Sequence, residues 1–371
     1  RPVIARDSIG RIYMLYDKGG SRNLTRFDVE GNEDTEFATK FGEIMPMLPP
    51  GVTISTIDTI AIDADDNYIF LFKDNYVYCF KEKKDHSFEY FRGTAYPNVA
   101  ATLRVTAAAA YNGVLFAVYR GNLYACKFEF EDAPGHADIK LLKFDSQVSS
   151  KPLDKLRPAS SGVTGGSADT ECTGLFADES GVYCLLREQK SDASQLYMVG
   201  ALVQYTYSDG ALTKKQAIGL HSKAGGSDPS LAFDANAFVN PVCFIGYDKD
   251  YLYIADDGAE ISENAYMGGF YTAGNKNRIA AVKRDTTALS FDDSTSDATW
   301  FKGYAGYRYA AKIPHLLWTT DEGTRAVTIN LKTADGTVKE LVSNIRNQKT
   351  ARDSTGAVYV LYKGGYGGEL H

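Results

Sequence analysis

An all-β fold made from one repeated sheet unit is what this sequence predicts, and three observations predict it. The first is a restated sentence at the two ends. Ala5-Arg6-Asp7-Ser8-Ile9-Gly10-Arg11-Ile12-Tyr13-Met14-Leu15-Tyr16 opens the chain, and Ala351-Arg352-Asp353-Ser354-Thr355-Gly356-Ala357-Val358-Tyr359-Val360-Leu361-Tyr362 nearly closes it, each an acidic turn followed by a short apolar strand. The second is composition: 44% hydrophobic residues and 12% aromatic, with 25 Tyr, arranged in short runs between turns, with no long apolar pattern at i, i+3, i+4, i+7. The third is that the second strand of most units is almost continuously apolar, so both faces of each sheet must be covered.

Taken in order, the first unit (3–37) has an inner strand, the turn 7–10, strands at 12–16 and 23–27, and a last strand after the turn 29–32. The second has 59–62, the turn 63–67, then 68–72 and 76–80; Asp74-Asn75 and Gly121-Asn122 stand where hairpin turns need residues tolerant of positive φ. Asn112-Gly113 opens the third unit's strands at 114–119 and 123–130. The fourth uses Asp178-Glu179-Ser180-Gly181 before 182–186 and a hairpin at 208–210. The fifth has 242–246, the turn 248–250, 251–255 and 278–283. The sixth, with 316–319 and a hairpin at 334–336, matches least well, and the last restates the first.

Sheets covered on both faces, repeated without a linker, pack face to face around an axis, and closure of the ring shortens the exposed edges. The expectation is therefore a β-propeller occupying 1–371 as a single domain, with seven four-stranded blades and six or eight as the alternatives. Neither the Gly-His…Trp-Asp signature of WD repeats nor a kelch double-glycine period is present. The Asp-x-x-Gly-x-(Val/Ile)-Tyr unit, as at Asp7 and Asp353, resembles NHL-type and YVTN-type irregular propellers of secreted or periplasmic proteins. That resemblance is one of pattern and transfers no residue roles.

Net charge of −7 and the absence of a basic stripe argue against nucleic acid as a partner. No apolar run is long enough to form a transmembrane helix. Cys79, Cys126, Cys172, Cys184 and Cys243 have no metal-ligand spacing and read as buried thiols, one disulfide being the alternative. The chain opens at Arg1-Pro2 without Met or signal peptide, which suggests a targeting segment already removed, a lipid anchor included. With the richness in Tyr, Asn, Asp, Ser and Gly, this points to an extracytoplasmic location, periplasmic or at the cell surface.

In such a fold, turns after the first and third strands share one face; turns after the second strand and the links between blades share the other. The first kind are tight here. The second kind include the long stretches 39–54, 145–168, 219–240, 256–277 and 292–307, and stretches this long usually carry function. The long-loop face is thus the expected site, with Asp256, Asp257, Glu260, Tyr266, Tyr271, Trp300 and Tyr304 as candidate ligand-binding residues and Phe270, Tyr307 and Tyr309 beside them. Aromatics with carboxylates suit a protein, peptide or glycan ligand.

Paired carboxylates about 5–9.5 Å apart would instead suit glycoside hydrolysis, making a carbohydrate-active hydrolase or lyase the alternative. No G-x-S-x-G or H-E-x-x-H occurs, and the five His are scattered, so no catalytic residue is assigned and no cofactor is expected. Asp63-x-Asp65-x-Asn67, with Asp74 twelfth, has calcium-loop spacing, but Tyr68 stands where such a loop needs Gly. Asn23-Leu24-Thr25 is a formal glycosylation sequon. The reading is a non-enzymatic binding or interaction module; an envelope scaffold without a small ligand is the further alternative.

Overall fold

In the computed structural model, the residues described are 3–7, 11–18, 21–28, 32–63, 67–134, 136–154, 156, 170–191, 196–219, 238, 241–247, 250–256, 278–284, 288–291, 304–306, 315–320, 327–332, 338–352 and 358–364, with backbone alone after 291. Nearly all of them are strand. The first sheet is β1 (Val3–Arg6), β2 (Ile12–Lys18) and β3 (Ser21–Phe27). The second is β4 (Thr59–Asp63), β5 (Tyr68–Lys73), β6 (Tyr76–Glu82) and β7 (Phe88–Ala95). The third is β8 (Val105–Tyr111), β9 (Val114–Tyr119), β10 (Asn122–Ala133) and β11 (His136–Pro152).

A fourth follows with β12 (Glu171–Asp178), β13 (Gly181–Ser191), β14 (Leu196–Ser208) and β15 (Ala211–Ile218). The fifth has β16 (Pro241–Tyr247), β17 (Tyr251–Asp256), β18 (Arg278–Arg284) and β19 (Leu289–Phe291). The last has five strands, β20 (Tyr304–Gly306), β21 (His315–Thr320), β22 (Val327–Lys332), β23 (Val338–Arg352) and β24 (Val358–Gly364). Each group is an antiparallel meander in chain order, as in propeller blades, but parallel bridges between β4 and β8 and between β7 and β11 close the second and third groups into one eight-stranded barrel. In β23, the first part pairs with β22 and the second, carrying Ala351 and Arg352, pairs with β24. The restated motif at the end of the chain thus begins a strand pair of its own.

By its contacts the chain forms two compact units, one of 1–153, 175–184 and 204–215, the other of 154–174, 185–203 and 216–371. In the first, the second and third sheets pack face to face. A parallel bridge, Asp63 to Ala110, joins their first strands, and Lys140 to Phe91 and Leu141 to Arg92 join their last. Between them lies an apolar cluster including Phe70, Phe72, Cys79, Leu115, Tyr119 and Cys126, all fully buried. This covers the second face of the near-continuously apolar strands β5 and β9.

The turn motif has a recurring structural reason. Tyr13 on β2 lies opposite Arg26 on β3, and Arg26 Nη1 donates to its hydroxyl at 3.1 Å. Tyr68 on β5 lies opposite Lys81, whose Nζ donates to the Tyr68 hydroxyl at 3.1 Å, and Gln204 Nε2 donates to the Tyr183 hydroxyl at 3.0 Å. In the strand register, Tyr251 on β17 stands opposite Lys283 on β18. The tyrosine buries its ring between sheets and needs a partner for its oxygen. A long donor on the third strand supplies it.

Two expectations are corrected here. No fourth strand follows the turn 29–32: Glu33 makes a single bridge to Phe27, and the chain then forms helix α1 (Thr35–Ile44) and short 3-10 turns at Met45–Met47 and Ile54–Thr56. Asp34 caps the helix by accepting from Phe37 N at 2.9 Å. Phe37 and Phe41, one turn apart, are buried against Tyr13, Phe80 and Phe88. The stretch 39–54 is therefore largely ordered packing that replaces a strand. The second correction is at 145–152, expected as loop, which continues β11.

Candidate functional site

The most highly charged buried cluster lies in the first unit, where β3, the β1–β2 turn, the start of α1 and the end of β6 meet. Arg26, 1% exposed, donates through Nη1 to Glu82 Oε2 at 2.6 Å and through Nε to Asp34 Oδ2 at 2.9 Å. Its guanidinium lies over the Phe37 ring, 4.6 Å from the centroid. Arg11 donates through Nε to Asp7 Oδ2 and through Nη2 to Glu82 Oε2 at 2.7 Å, while the His86 ring contacts Glu82 Oε1 through Nδ1 at 3.0 Å.

Burial pushes the Glu82 carboxyl upward, but hydrogen bonds from Arg26, His86 and Arg11 outweigh it and hold the group below the usual carboxylate range. Asp34 is also lowered, its burial outweighed by the Phe37 amide and Arg26. Burial drives the Tyr13 phenol well up. None of these shifts moves a group toward neutrality, as proton-transfer work would require. The cluster's chemistry is that of a clamp between the first two sheets and α1.

The sequence-expected site falls elsewhere. Asp256 is the last residue of β17, and its backbone pairs with Pro241 on one side and Arg278 on the other. Tyr304 begins β20, in another sheet, opposite Thr319. Asp257, Glu260, Tyr266, Phe270, Tyr271, Trp300, Tyr307 and Tyr309 lie outside the described residues. The two excursions that flank this place are nonetheless fastened at described positions. The chain leaves the fifth sheet at Asp256 and re-enters at its own neighbour Arg278.

The stretch 220–237 is closed at its base by Gly219 and Phe238. Phe238 is fully buried; its amide donates to Gly219 O at 3.1 Å, and its carbonyl accepts from Gly200 N at 3.3 Å. Gly219 has φ +88, and a Cβ there would stand 2.3 Å from the Phe238 ring. At Gly200 a Cβ would stand 2.4 Å from Pro241 Cγ and 2.9 Å from Phe238 Cβ. Continuous contact therefore runs from Gly219 through Phe238 and Gly200 to Pro241, Asp256 and Arg278. The described residues flanking 220–237 and 257–277 thus lie on one stretch of packing, and sequence reasoning singles out neither Phe238 nor these glycines. The signal for them is faint, because nothing local distinguishes a loop phenylalanine that returns to the core.

Of the calcium-loop residues, Asp65 lies outside the described residues, and Asp63 and Asp74 are far apart. Asp63 ends β4 and Asp74 follows β5, so the six residues of β5 separate them by roughly 20 Å at strand rise. Asp74 is engaged instead through its amide, which donates to Asp58 Oδ2 at 2.6 Å. Among the described residues no group of three or more His, Cys, Asp or Glu could hold a metal. In the sequon, Asn23 Nδ2 donates to Ser21 O, and Thr25 is buried with its Oγ1 3.1 Å from the Tyr16 hydroxyl.

Residues 156–308 match the family model described as the TdpA C-terminal domain, a span that contains both excursions and their base. The 53 kDa membrane antigen A of Treponema denticola is 34% identical over 116 residues, 31% of this chain and 23% of that protein, so the match spans less than a quarter of the relative's length. Similar solved structures include a protein from Lactobacillus plantarum, 13% identical with a TM-score of 0.40, covering 96% of this chain and 92% of that one. Another is the WD40 domain of SCAP from fission yeast, 10% identical with a TM-score of 0.42, covering 96% and 76%. Likeness at this level carries no functional argument. No helix among the described residues is long and apolar enough to cross a membrane.

Proposed function

We propose that the chain is a single seven-bladed β-propeller acting as a non-enzymatic, extracytoplasmic binding module, with a protein, peptide or glycan partner held by its long-loop face. The observation that carries this reading is the shared base. Phe238, at the described end of 220–237, packs toward Pro241, whose strand adjoins Asp256 and Arg278 at the ends of 257–277, and the latter stretch carries Asp257, Glu260, Glu263, Tyr266 and Tyr271. Loops set on rigid strands present a preformed surface at low entropic cost, with aromatic side chains as anchors and carboxylates setting specificity. The partial likeness to a membrane antigen supports an envelope location.

The proposal assigns Asp256, Asp257, Glu260, Tyr266, Tyr271, Trp300 and Tyr304 to the binding surface. It is tested by screening the protein on glycan and peptide arrays alongside Tyr271→Ala and Trp300→Ala. Binding should fall by about tenfold or more, the scale of an aromatic hot spot, with the melting temperature nearly unchanged. A variant that unfolds marks its residue as core, and hydrolysis of an array glycan would replace the module reading with a carbohydrate-active enzyme.

A further inference from the structure

We propose that the open edge of β24 pairs antiparallel with the same edge of a second copy of this chain, joining two last sheets across a two-fold axis. The restated motif at the end of the chain is also a restated hairpin. The pairs from Val3–Leu15 to Arg6–Ile12 recur as Lys349–Leu361 to Arg352–Val358, in one register. β24 is therefore a second β2. In the first sheet β2 is flanked on both sides, by β1 and by β3, whereas among the described residues β24 adjoins β23 alone.

The backbone of the first sheet fixes which groups that edge presents. The Asp7 amide donates to Arg11 O at 3.2 Å, so Arg11 and, by alternation, Tyr13 and Leu15 bond toward β1. Arg26, opposite Tyr13, turns its carbonyl away from β2 to accept from the Asp34 amide at 2.8 Å. Ile12, Met14 and Tyr16 thus bond toward β3, and their counterparts Val358, Val360 and Tyr362 present N–H and C=O groups on the open side of β24. Such an edge is a template for another strand.

Self-pairing fits it in one register. Centred on Leu361, it sets Val360 opposite the partner's Tyr362, so the outward groups of both residues bond, and Tyr359 opposite the partner's Lys363. A tyrosine opposite a lysine is the pairing this chain already uses between second and third strands, at Tyr68 and Lys81 and at Tyr251 and Lys283. Lysine on an edge strand ordinarily discourages pairing; here it completes the match. The two-fold axis makes each contact occur twice. One strand pair is a small interface, so the association depends on concentration.

The test is sedimentation of the full chain over a range of concentrations, wild type against Val360→Pro. The Val360 N–H faces the open side, so proline there removes bonds to the second copy and none to β23. The wild type should dimerise, and Val360→Pro should weaken the dimer on the order of tenfold or more with the melting temperature nearly unchanged. Cysteine variants under mild oxidation read the register. Leu361→Cys brings two thiols together at the axis, in a non-hydrogen-bonded pair whose close Cα spacing suits a disulfide, and should cross-link; Val360→Cys, offset from its own copy, should not. A wild type that stays monomeric, or a dimer that Val360→Pro leaves intact, overturns the proposal. If Val360→Pro fails to fold, the cysteine variants decide: cross-linking of both alike, or of neither, is the contrary result.

Discussion

Arg26 concentrates more of the first unit's electrostatics than any other described side chain. It answers two carboxylates, one phenol and one aromatic face from a position 1% exposed. A buried charge tolerates that place only while its partners remain, because desolvation of an unpaired ion exceeds what packing returns. Arg26→Met should therefore lower unfolding free energy by about 3–5 kcal/mol, since it strands Glu82 beside a single remaining arginine. Tyr13→Phe removes the hydroxyl that accepts from Arg26 and donates to Asp7 at 3.4 Å, two bonds among several, and should cost about 1–2 kcal/mol. Urea titrations of both variants measure the difference; similar small losses would mean that the cluster relaxes around water.

At the scale of the element, α1 is attached through its cap. Asp34 serves Phe37 N and Arg26 together, and Glu82 holds Arg26 from the other side. Both carboxyls have folded pKa values below their ordinary ones. The unfolded chain then binds protons more readily as pH falls, so the stabilisation is complete above the ordinary carboxylate range, about 4, and is lost through and below it. Acid should loosen α1 before the second and third sheets. Exchange in Thr35–Ile44 should rise between about pH 5 and 3 while β9 stays protected, and simultaneous loss in both would contradict the separate attachment. Such a helix was partly legible: Asp34, Glu36, Phe37 and Phe41 are a cap, a first-turn acid and an apolar stripe. A short helix inside a β repeat is easily passed over, because its pattern competes with the expectation of a fourth strand.

For the molecule as a whole, burial of hydroxyls and thiols sets the alkaline behaviour. Burial raises the phenols of Tyr13, Tyr96 and Tyr119 well above the ordinary value of 10.0, and that of Tyr78 to about 12. Groups raised in the folded state stabilise it fully below their unfolded pKa, and this contribution is lost as pH rises through 10 and beyond. Spectrophotometric titration should show these tyrosines ionising late, in step with unfolding. Cys79, Cys126, Cys172 and Cys184 are buried, and the thiols of Cys79 and Cys126 are pushed up by burial, so they should resist a thiol reagent until denaturant is added. Rapid labelling of the native protein would show an open core.

The sequence by itself determined the strands. Period, apolar runs and Asp, Asn and Gly turns are local properties, so β2, β4 to β6, β9, β16 to β18 and β24 could be read from neighbours in the chain, as could the meander they imply. The tertiary structure alone decided the partners between elements. Arg26 meets Glu82 across 56 positions, α1 stands where a strand was expected, and Phe238 returns to Gly219 and Gly200. Those contacts come from filling space and satisfying charge among residues far apart in sequence, and no short window of sequence contains both members of such a pair.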